Sequence, residues 1–177
     1  VLGATAVQCG SCEYCERGEF MFCANRRGMG HGVNGAFTKY AAVRPDQLFK
    51  IPEGVSMEYG ALVEPLAVAV HVVEEVASFR LGDVVLLSGP GPIGLLCLKM
   101  LLAHGLKVIV AGTSDDDSRL EMARKYGAAR TVVVNQENLA EVIAEETDGQ
   151  GVALAIETAG AEASVQNCMQ SLRPLGC

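Results

Sequence analysis

The chain has 177 residues, half of them hydrophobic, and a net charge of −7 at neutral pH. A chain of this size can bury one or two globular cores. Its acidic balance argues against nucleic acid or an anionic membrane as a partner, since both require basic patches. No apolar run approaches the roughly 20 residues that span a bilayer, and Val1 opens no signal-peptide pattern. We therefore expect a cytoplasmic protein that is one piece of a longer chain.

Four of the seven cysteines lie between Cys9 and Cys23, in the spacing C-x2-C-x2-C-x7-C. Disulfides are disfavoured in a reducing compartment. Bacterial ferredoxins share C-x2-C-x2-C but place the next cysteine three residues on, followed by proline, whereas here the gap is seven residues and Ala24 follows. A closed tetrahedral zinc site on Cys9, Cys12, Cys15 and Cys23 fits better. Four thiolates leave no open position on the metal, so this zinc would have no catalytic role.

Up to residue 55 the sequence otherwise resembles short strands, loops and turns. Residues 1–7 have the pattern of a strand end, and residues 37–54 have that of strand segments interrupted by Pro45. Basic side chains close to the cysteines are available to offset the negative charge of the zinc site: Arg17, Arg26 and Arg27. The other cysteines have apolar neighbours and are expected in a core: Cys97, Cys168 and Cys177.

A helical pattern covers residues 56–76. Ser56 is a suitable N-cap, and apolar residues recur at helical spacing as far as Val76. Pro65 lies inside this pattern and predicts either two short helices or a kink.

From residue 84 onward, strand and helix patterns alternate. Predicted strands cover residues 84–88, 107–112, 131–134 and 152–160, and predicted helices cover residues 92–104, 116–127, 137–149 and 161–172. This alternation predicts an α/β fold with a doubly wound parallel sheet that has helices on both faces. Four strands are fewer than the six of a complete dinucleotide-binding fold, so we expect a partial Rossmann-type domain.

The sequence GPGPIG at residues 89–94 matches G-x-G-x-x-G between a predicted strand and a predicted helix. That context distinguishes a dinucleotide site from a glycine-rich turn without a ligand. Gly89 permits a tight turn, Gly91 lets the backbone approach a pyrophosphate, and Gly94 lets the helix pack closely on the strand. Pro92 suits the first helical turn because its missing N–H costs nothing there. The helix N-terminus then offers N–H groups to the phosphates.

The end of the second predicted strand leaves the choice between NAD and NADP open. An NAD site normally has Asp or Glu there to bind the ribose 2′-hydroxyl, whereas this sequence has Gly112, Thr113 and Ser114, followed by Arg119. Small hydroxyl residues and an arginine favour a 2′-phosphate, and hence NADP. The three acids at 115–117 oppose this, because they repel a phosphate or bind the ribose themselves. They also have an ordinary role at the N-terminus of the following helix.

The order of these motifs resembles the zinc-containing medium-chain dehydrogenase/reductase family of the alcohol dehydrogenase superfamily. CGSCEYCERGEFMFC resembles its structural-zinc loop, GAFTKYAAVRPDQLFKIPEGVS the end of its GroES-like catalytic domain, and GPGPIG its coenzyme turn. GALVEPLAVAVH is similar to the polyol (sorbitol) and sugar-phosphate dehydrogenase branch. The resemblance implies a partial GroES-like catalytic domain with the structural-zinc loop over residues 1–78. It implies a partial Rossmann coenzyme-binding domain over residues 79–177.

The resemblance also implies site residues. It assigns the structural zinc to the four cysteines and makes Glu64 the carboxylate of a catalytic zinc site, both a metal ligand and a catalytic residue. It places Val68 against the nicotinamide. The other coenzyme-binding residues that it implies are Gly89, Gly91, Pro92, Ile93, Gly94, Gly112, Thr113, Ser114, Arg119, Thr158 and Ala159. The family's catalytic cysteine and Gly-His-Glu segment do not occur in these 177 residues. None of the three histidines is predicted as a ligand: His31, His71 and His104.

For the full-length enzyme the resemblance implies zinc-dependent oxidation of a secondary alcohol, a polyol or a sugar phosphate, with hydride transfer to NAD or NADP. It also implies a homodimer or homotetramer. We expect the 177-residue chain alone to be inactive. Two alternatives stay open: an enzyme similar to threonine dehydrogenase, and a non-catalytic nucleotide-binding relative.

Overall fold

The structure, a computed structural model, describes residues 2, 3 and 6–177. The chain divides into two compact units, with unit 1 over Val1–Val63 and unit 2 over Glu64–Cys177. The domain boundary predicted between residues 78 and 79 stays a prediction.

Unit 1 consists of short elements joined by turns. In chain order they are β1 Leu2–Gly3, β2 Ala6–Val7, α1 Glu13–Glu16, a 3₁₀ helix Phe20–Phe22, β3 Arg27–Met29, β4 Gly32–Val33, a 3₁₀ helix Pro45–Gln47, β5 Leu48–Phe49 and α2 Met57–Ala61. Strands β1 and β5 pair antiparallel, and β2, β3 and β4 form a second sheet in that order.

The strands predicted in unit 1 form only in part. Within residues 1–7 the structure has β1 and β2, while residues 1, 4 and 5 lie outside the described part of the chain. Of the strand segments predicted over residues 37–54, only β5 forms, and described residues 37–44 contain no strand. A strand needs a neighbour that completes its backbone hydrogen bonds, and no described strand pairs with residues 37–44.

The helical segment from Ser56 to Val76 is broken as predicted. The Ser56 side chain accepts a hydrogen bond from the N–H of Tyr59 (3.2 Å) and so caps α2. A new helix, α3, covers Val63–Val70 with Pro65 in its first turn, where a missing N–H costs little. The last part of the segment, His71–Val76, is a π-helix, which the apolar spacing did not predict.

Unit 2 alternates strands and helices as predicted, and most boundaries agree within three residues. Its elements after α3 and the π-helix are β6 Val84–Ser88, α4 Pro92–Ala103, β7 Lys107–Gly112, a 3₁₀ helix Ser114–Asp116, α5 Asp117–Tyr126, β8 Arg130–Val133, α6 Leu139–Glu146, β9 Leu154–Glu157 and α7 Glu162–Ser171. Gly127 ends α5 in the left-handed conformation, with φ +109°.

The four strands of unit 2 form one parallel sheet in the order β8-β7-β6-β9. Strand β6 lies between β7 and β9, so the chain changes direction across the sheet after β8. Ligands of open parallel sheets bind beside the carboxyl ends of the strands at such a switch point. The Rossmann-type fold is therefore confirmed, and its binding cleft is expected where β6 ends.

Side chains of β6 point alternately into two cores, one on each face of the sheet. Val85 and Leu87 pack in one core with buried residues of α4 and α5, and Leu86 packs in the other with residues of α6 and α7. This alternation is the pattern of a doubly covered sheet. Cys97 and Cys168 are buried as expected.

Cys177 departs from the prediction, since it is exposed rather than part of a core. Its backbone pairs with the edge of β9: its N–H donates to the carbonyl of Ala153 (3.0 Å), and its carbonyl accepts from the N–H of Ala155 (2.8 Å). Among the described residues, no helix is long and apolar enough to cross a membrane.

Candidate functional site

Four sulfur atoms converge in the loop that follows β2. The Sγ atoms of Cys9, Cys12, Cys15 and Cys23 all lie within 4.8 Å of one another. The Cys12–Cys15 Sγ distance is 3.5 Å and the Cys9–Cys15 Sγ distance is 4.0 Å. Zn–S bonds of about 2.3 Å in a tetrahedron place the sulfurs about 3.8 Å apart. The cluster therefore fits a structural zinc ion, as the spacing predicted, and all four cysteines are free.

Two glycines and a short helix shape this loop. Gly10 (φ +76°) and Gly18 (φ +77°) adopt left-handed conformations on either side of α1, which residues with a side chain rarely adopt. Cys12 stands at the N-cap of α1. The N–H of Cys9 donates to the Sγ of Cys23 (3.4 Å), which connects the two ends of the loop.

Backbone hydrogen bonds and burial shift the pKa values of these thiols in opposite directions. The N–H of Ser11 lowers the pKa of Cys9 to about 6, and the N–H groups of Cys15 and Ala24 lower the pKa of Cys12. Burial raises the pKa of Cys15 to about 11. Backbone N–H groups that face a sulfur stabilise its thiolate, and the thiolate is the form that binds zinc.

The nearby arginines are not all available as counter-charges. Arg17 pairs with Glu13 across one turn of α1, whereas Arg26 and Arg27 are exposed. Their predicted effect on the charge of the zinc site stays a prediction.

The segment between β6 and α4 forms the predicted phosphate turn. Gly89 adopts a left-handed φ of +99°, and its N–H donates to the carbonyl of Ala111 in β7 (2.8 Å). Gly91 is the N-cap of α4 and Pro92 its first residue, and no side chain from the described residues caps this N-terminus. Unpaired N–H groups and the positive end of the helix dipole therefore favour an anion where β6 ends, and the binding of a coenzyme phosphate there stays a prediction.

The three glycines of this turn have different surroundings. A Cβ on Gly94 would lie 2.0 Å from the carbonyl oxygen of Gly89, and one on Gly89 would lie 2.6 Å from the nitrogen of Ala159. A Cβ on Gly91 would meet nothing within 4 Å. Packing therefore requires glycine at positions 89 and 94, while Gly91 leaves open space that a ligand can approach.

The end of β7 carries a hydrogen-bond network around Asp116. Its carboxylate accepts from the N–H (3.1 Å) and hydroxyl (3.2 Å) of Thr113 and from Arg119 (3.0 Å). Burial alone would raise the pKa of Asp116, but the hydrogen bonds outweigh it and hold that pKa below its usual range. Arg119 therefore already has a carboxylate partner.

Asn135, which the sequence reasoning missed, also belongs to this end of the sheet. Its Oδ1 accepts from the N–H of Ser114 (3.0 Å), and its Nδ2 donates to the hydroxyl of Ser114 (2.9 Å). Asn135 follows β8, whose neighbour is β7. The meeting of these two strand ends depends on sheet order, which local patterns do not give.

The segment after β9 lies against the phosphate turn. The Thr158 hydroxyl donates to the carbonyls of Gly89 (2.7 Å) and Ser88 (3.0 Å). Thr158 therefore holds the turn through its side chain, while Ala159 is exposed. A direct contact of either residue with coenzyme stays a prediction.

The residues predicted near the reacting atoms lie one turn apart on α3. Glu64 and Val68 are both exposed. Within the described part of the chain, the cysteine cluster is the only group of three or more His, Cys, Asp or Glu side chains arranged to hold a metal. Glu64 lies outside it, and its role as a zinc ligand stays a prediction. His71 and His104 bind neighbouring glutamates (2.8 and 2.7 Å), and His31 is exposed.

Two protein-family profiles match the chain. The profile described as "Alcohol dehydrogenase GroES-like domain" matches residues 1–53, and that described as "Zinc-binding dehydrogenase" matches residues 92–177. Both profiles describe zinc-binding alcohol dehydrogenases, the family that the cysteine loop and the phosphate turn resemble.

The curated relatives include enzymes of two substrate classes. A sorbitol dehydrogenase of Halalkalibacterium halodurans is 36% identical over 95% of this chain and 49% of its own length. A D-arabitol-phosphate dehydrogenase of Enterococcus avium is 36% identical over 95% of this chain and 48% of its own length. An L-threonine 3-dehydrogenase of Photorhabdus laumondii is 36% identical over 97% of this chain and 50% of its own length. The chain thus spans about half the length of these relatives.

Solved structures share the fold over nearly the whole chain. A zinc-binding dehydrogenase from Sinorhizobium meliloti bound to NADP superposes with a TM-score of 0.87 at 30% identity, over 99% of this chain and 51% of its own. An alcohol dehydrogenase from Escherichia coli complexed with NADH gives 0.84 at 31% identity, over 98% of this chain and 51% of its own.

Proposed function

We propose that the protein is the zinc-dependent, NAD(P)-linked dehydrogenase of a secondary alcohol, either a polyol or a sugar phosphate. The observation that carries the proposal is the phosphate turn: Gly91 is open, and the N-terminus of α4 has no side-chain cap among the described residues. Both features lie at the switch point of a parallel sheet, where dinucleotides bind.

Three groups of residues would divide the binding of the coenzyme. The backbone at Gly91 and the first N–H groups of α4 would bind the pyrophosphate. Thr113, Ser114 and Arg119 at the end of β7 would contact the adenosine ribose, and Val68 and Ala159 would lie on the nicotinamide side. When bound, the nicotinamide supplies the acceptor for hydride from the substrate carbon.

The four cysteines would hold a structural zinc ion. Four sulfurs within 4.8 Å of one another leave no position for a substrate. The zinc would therefore stabilise the loop of residues 9–23 and take no part in the reaction. Glu64 is the one residue of this chain that we propose for the catalytic zinc site.

The substrate class rests on the relatives. A sorbitol and an arabitol-phosphate dehydrogenase support a polyol or sugar phosphate, and a threonine dehydrogenase of equal identity makes an amino alcohol the second candidate. We propose that the full-length protein is a homodimer or homotetramer. We also propose that its domains divide this chain into residues 1–78 and 79–177. Seven free cysteines support a reducing compartment, the cytoplasm.

Titration of the 177-residue chain with NADH and NADPH, followed by fluorescence, tests the coenzyme proposal, and metal analysis of the same sample tests the zinc proposal. We expect saturable binding of at least one coenzyme and one zinc per chain. If neither NADH nor NADPH binds to a folded sample, the proposed function is wrong.

A further inference from the structure

Glu157, the last residue of β9, accepts several hydrogen bonds on one oxygen. Its Oε1 accepts from the N–H of Ala159 (2.7 Å), the N–H of Gly160 (2.9 Å) and the hydroxyl of Ser164 (2.8 Å). Ser164 is buried at the start of α7, and its hydroxyl lies 2.7 Å from that of Ser88 at the end of β6. Sequence reasoning missed this network, because its members come from three separate elements.

The backbone that Glu157 holds is the wall of the phosphate turn. The N–H of Thr158 donates to the carbonyl of Ser88 (2.8 Å). A Cβ on Gly89 would lie 2.6 Å from the nitrogen of Ala159, so the two backbones are in direct contact. Gly160 adopts a left-handed φ of +72°, and the segment turns sharply there before α7 begins. Movement of residues 158–160 would therefore open one side of the turn.

The position of this segment relates it to one half of the coenzyme. Strand β9 lies on the opposite side of β6 from β7. In a sheet of this topology the two mononucleotide halves bind on opposite sides of the switch point. The ribose network of Thr113 and Asp116 lies at β7, so the segment after β9 borders the other half, the pyrophosphate and the nicotinamide.

We propose that Glu157 is a positioning residue for the coenzyme, an inference that rests on the proposed NAD(P) binding. Its carboxylate fixes the backbone of Ala159 and Gly160 through charge-assisted hydrogen bonds, which are stronger than neutral ones. The segment is then ordered before the nicotinamide half binds, and less conformational entropy is lost on binding. Glu157 acts through this backbone and need not contact the coenzyme.

The test compares variants of the 177-residue chain by their affinities for NADH and for 5′-AMP, which carries only the adenosine half. For E157A we expect NADH affinity to fall about tenfold, the loss typical of a charged hydrogen-bond acceptor, with AMP affinity within about twofold of wild type. E157Q retains an oxygen acceptor for the same N–H groups, so its NADH affinity should recover to within about threefold.

Glu162, an exposed acid in the first turn of α7 that accepts a bond from Gln166 (3.4 Å), provides the matched control. E162A should match wild type for both ligands. If E157A does not fold, E157Q and S164A carry the test, and S164A should lose a smaller share of NADH affinity because two N–H donors remain.

Amide hydrogen exchange on the coenzyme-free chain provides a readout that needs no ligand. In E157A the amides of Ala159 and Gly160 should exchange at least about tenfold faster than in wild type, while amides of β6 and β7 keep their rates. Unchanged exchange at both amides, or equal loss of NADH and AMP affinity, would overturn the role of Glu157. If wild type binds neither coenzyme, the proposed function fails. If wild type binds and E157A binds NADH equally well, only the role of Glu157 fails.

Discussion

Substitution by alanine should have different effects at two glycines of the phosphate turn: loss of NADH affinity at Gly91 and loss of stability at Gly94. In G91A the new methyl group meets no atom within 4 Å, so the free energy of unfolding should stay unchanged. It would occupy the surface that a pyrophosphate approaches, and NADH affinity should fall at least about tenfold. In G94A the methyl group lies 2.0 Å from the Gly89 carbonyl oxygen, and the chain should lose about 3 kcal/mol of stability.

Urea unfolding and NADH titration of both variants measure this contrast. Loss of stability in G91A, or wild-type NADH affinity in that variant, would contradict the assignment of Gly91 as the ligand-facing glycine.

For single residues, the sequence predicts the role of a residue when that role depends only on its position within one local turn. G-x-G-x-x-G between a strand and a helix predicted the separate roles of Gly91 and Gly94, because each role follows from a position within one turn. Asn135 carries no such local signal, because its contact with Ser114 depends on β8 and β7 being neighbours. The donors to Glu157 are local in sequence, but their position beside the phosphate turn depends on β9 lying next to β6, and a single sequence does not state the sheet order.

Among the elements, the 3₁₀ helix Ser114–Asp116 that precedes α5 begins with a capping arrangement that bears on the choice of coenzyme. Asp116 accepts from Thr113 and from Arg119 (3.0 Å). Its negative charge would repel a 2′-phosphate, and it occupies the arginine that would bind one. D116N keeps an acceptor for the Thr113 N–H but removes the charge. The ratio of NADPH to NADH affinity should then rise at least about fivefold.

Paired titrations of wild type, D116N and D116N/R119A with both coenzymes check this expectation. The double variant should lose the gain, because Arg119 is the group released. A ratio that stays constant in D116N would show that Asp116 does not govern the ribose end.

The elements of unit 2 were predictable because each combines a strong period with a distinct end signal. Gly127 ends α5 where a left-handed residue was expected, and in unit 1 Ser56 likewise caps α2 as its position indicated. The failures are of two kinds. Residues 37–44 have strand-like residues but no described strand beside them, so the missing neighbour decides that case. The π-helix His71–Val76 has the same apolar spacing as an α-helix, so the spacing does not distinguish the two.

For the molecule as a whole, the charge balance constrains how an anionic coenzyme can bind. The chain carries −7, and at the pyrophosphate position it offers backbone N–H groups of α4 rather than basic side chains. Arg119, the one basic residue assigned to the coenzyme site, is paired with Asp116. Binding would therefore depend on oriented dipoles in a turn, which explains why glycines rather than lysines identify the site in the sequence.

Zinc removal should loosen the cysteine loop of unit 1 and leave coenzyme binding by unit 2 unchanged. The four sulfurs belong to unit 1, and every proposed coenzyme contact lies within unit 2, Glu64–Cys177. A strong chelator should release the zinc and increase amide exchange over residues 9–23, because metal binding supplies the folding energy of such loops. NADH affinity should remain within about twofold of that of the zinc-loaded chain.

C15S should reproduce the chelated state, since it removes a buried ligand, whereas C97S alters a buried core cysteine of unit 2 and should retain one zinc per chain. Metal analysis, exchange and NADH titration on these two variants give the comparison. If C15S loses NADH binding together with its zinc, the cysteine cluster supports the coenzyme site directly. Its assignment as a local structural element would then be wrong.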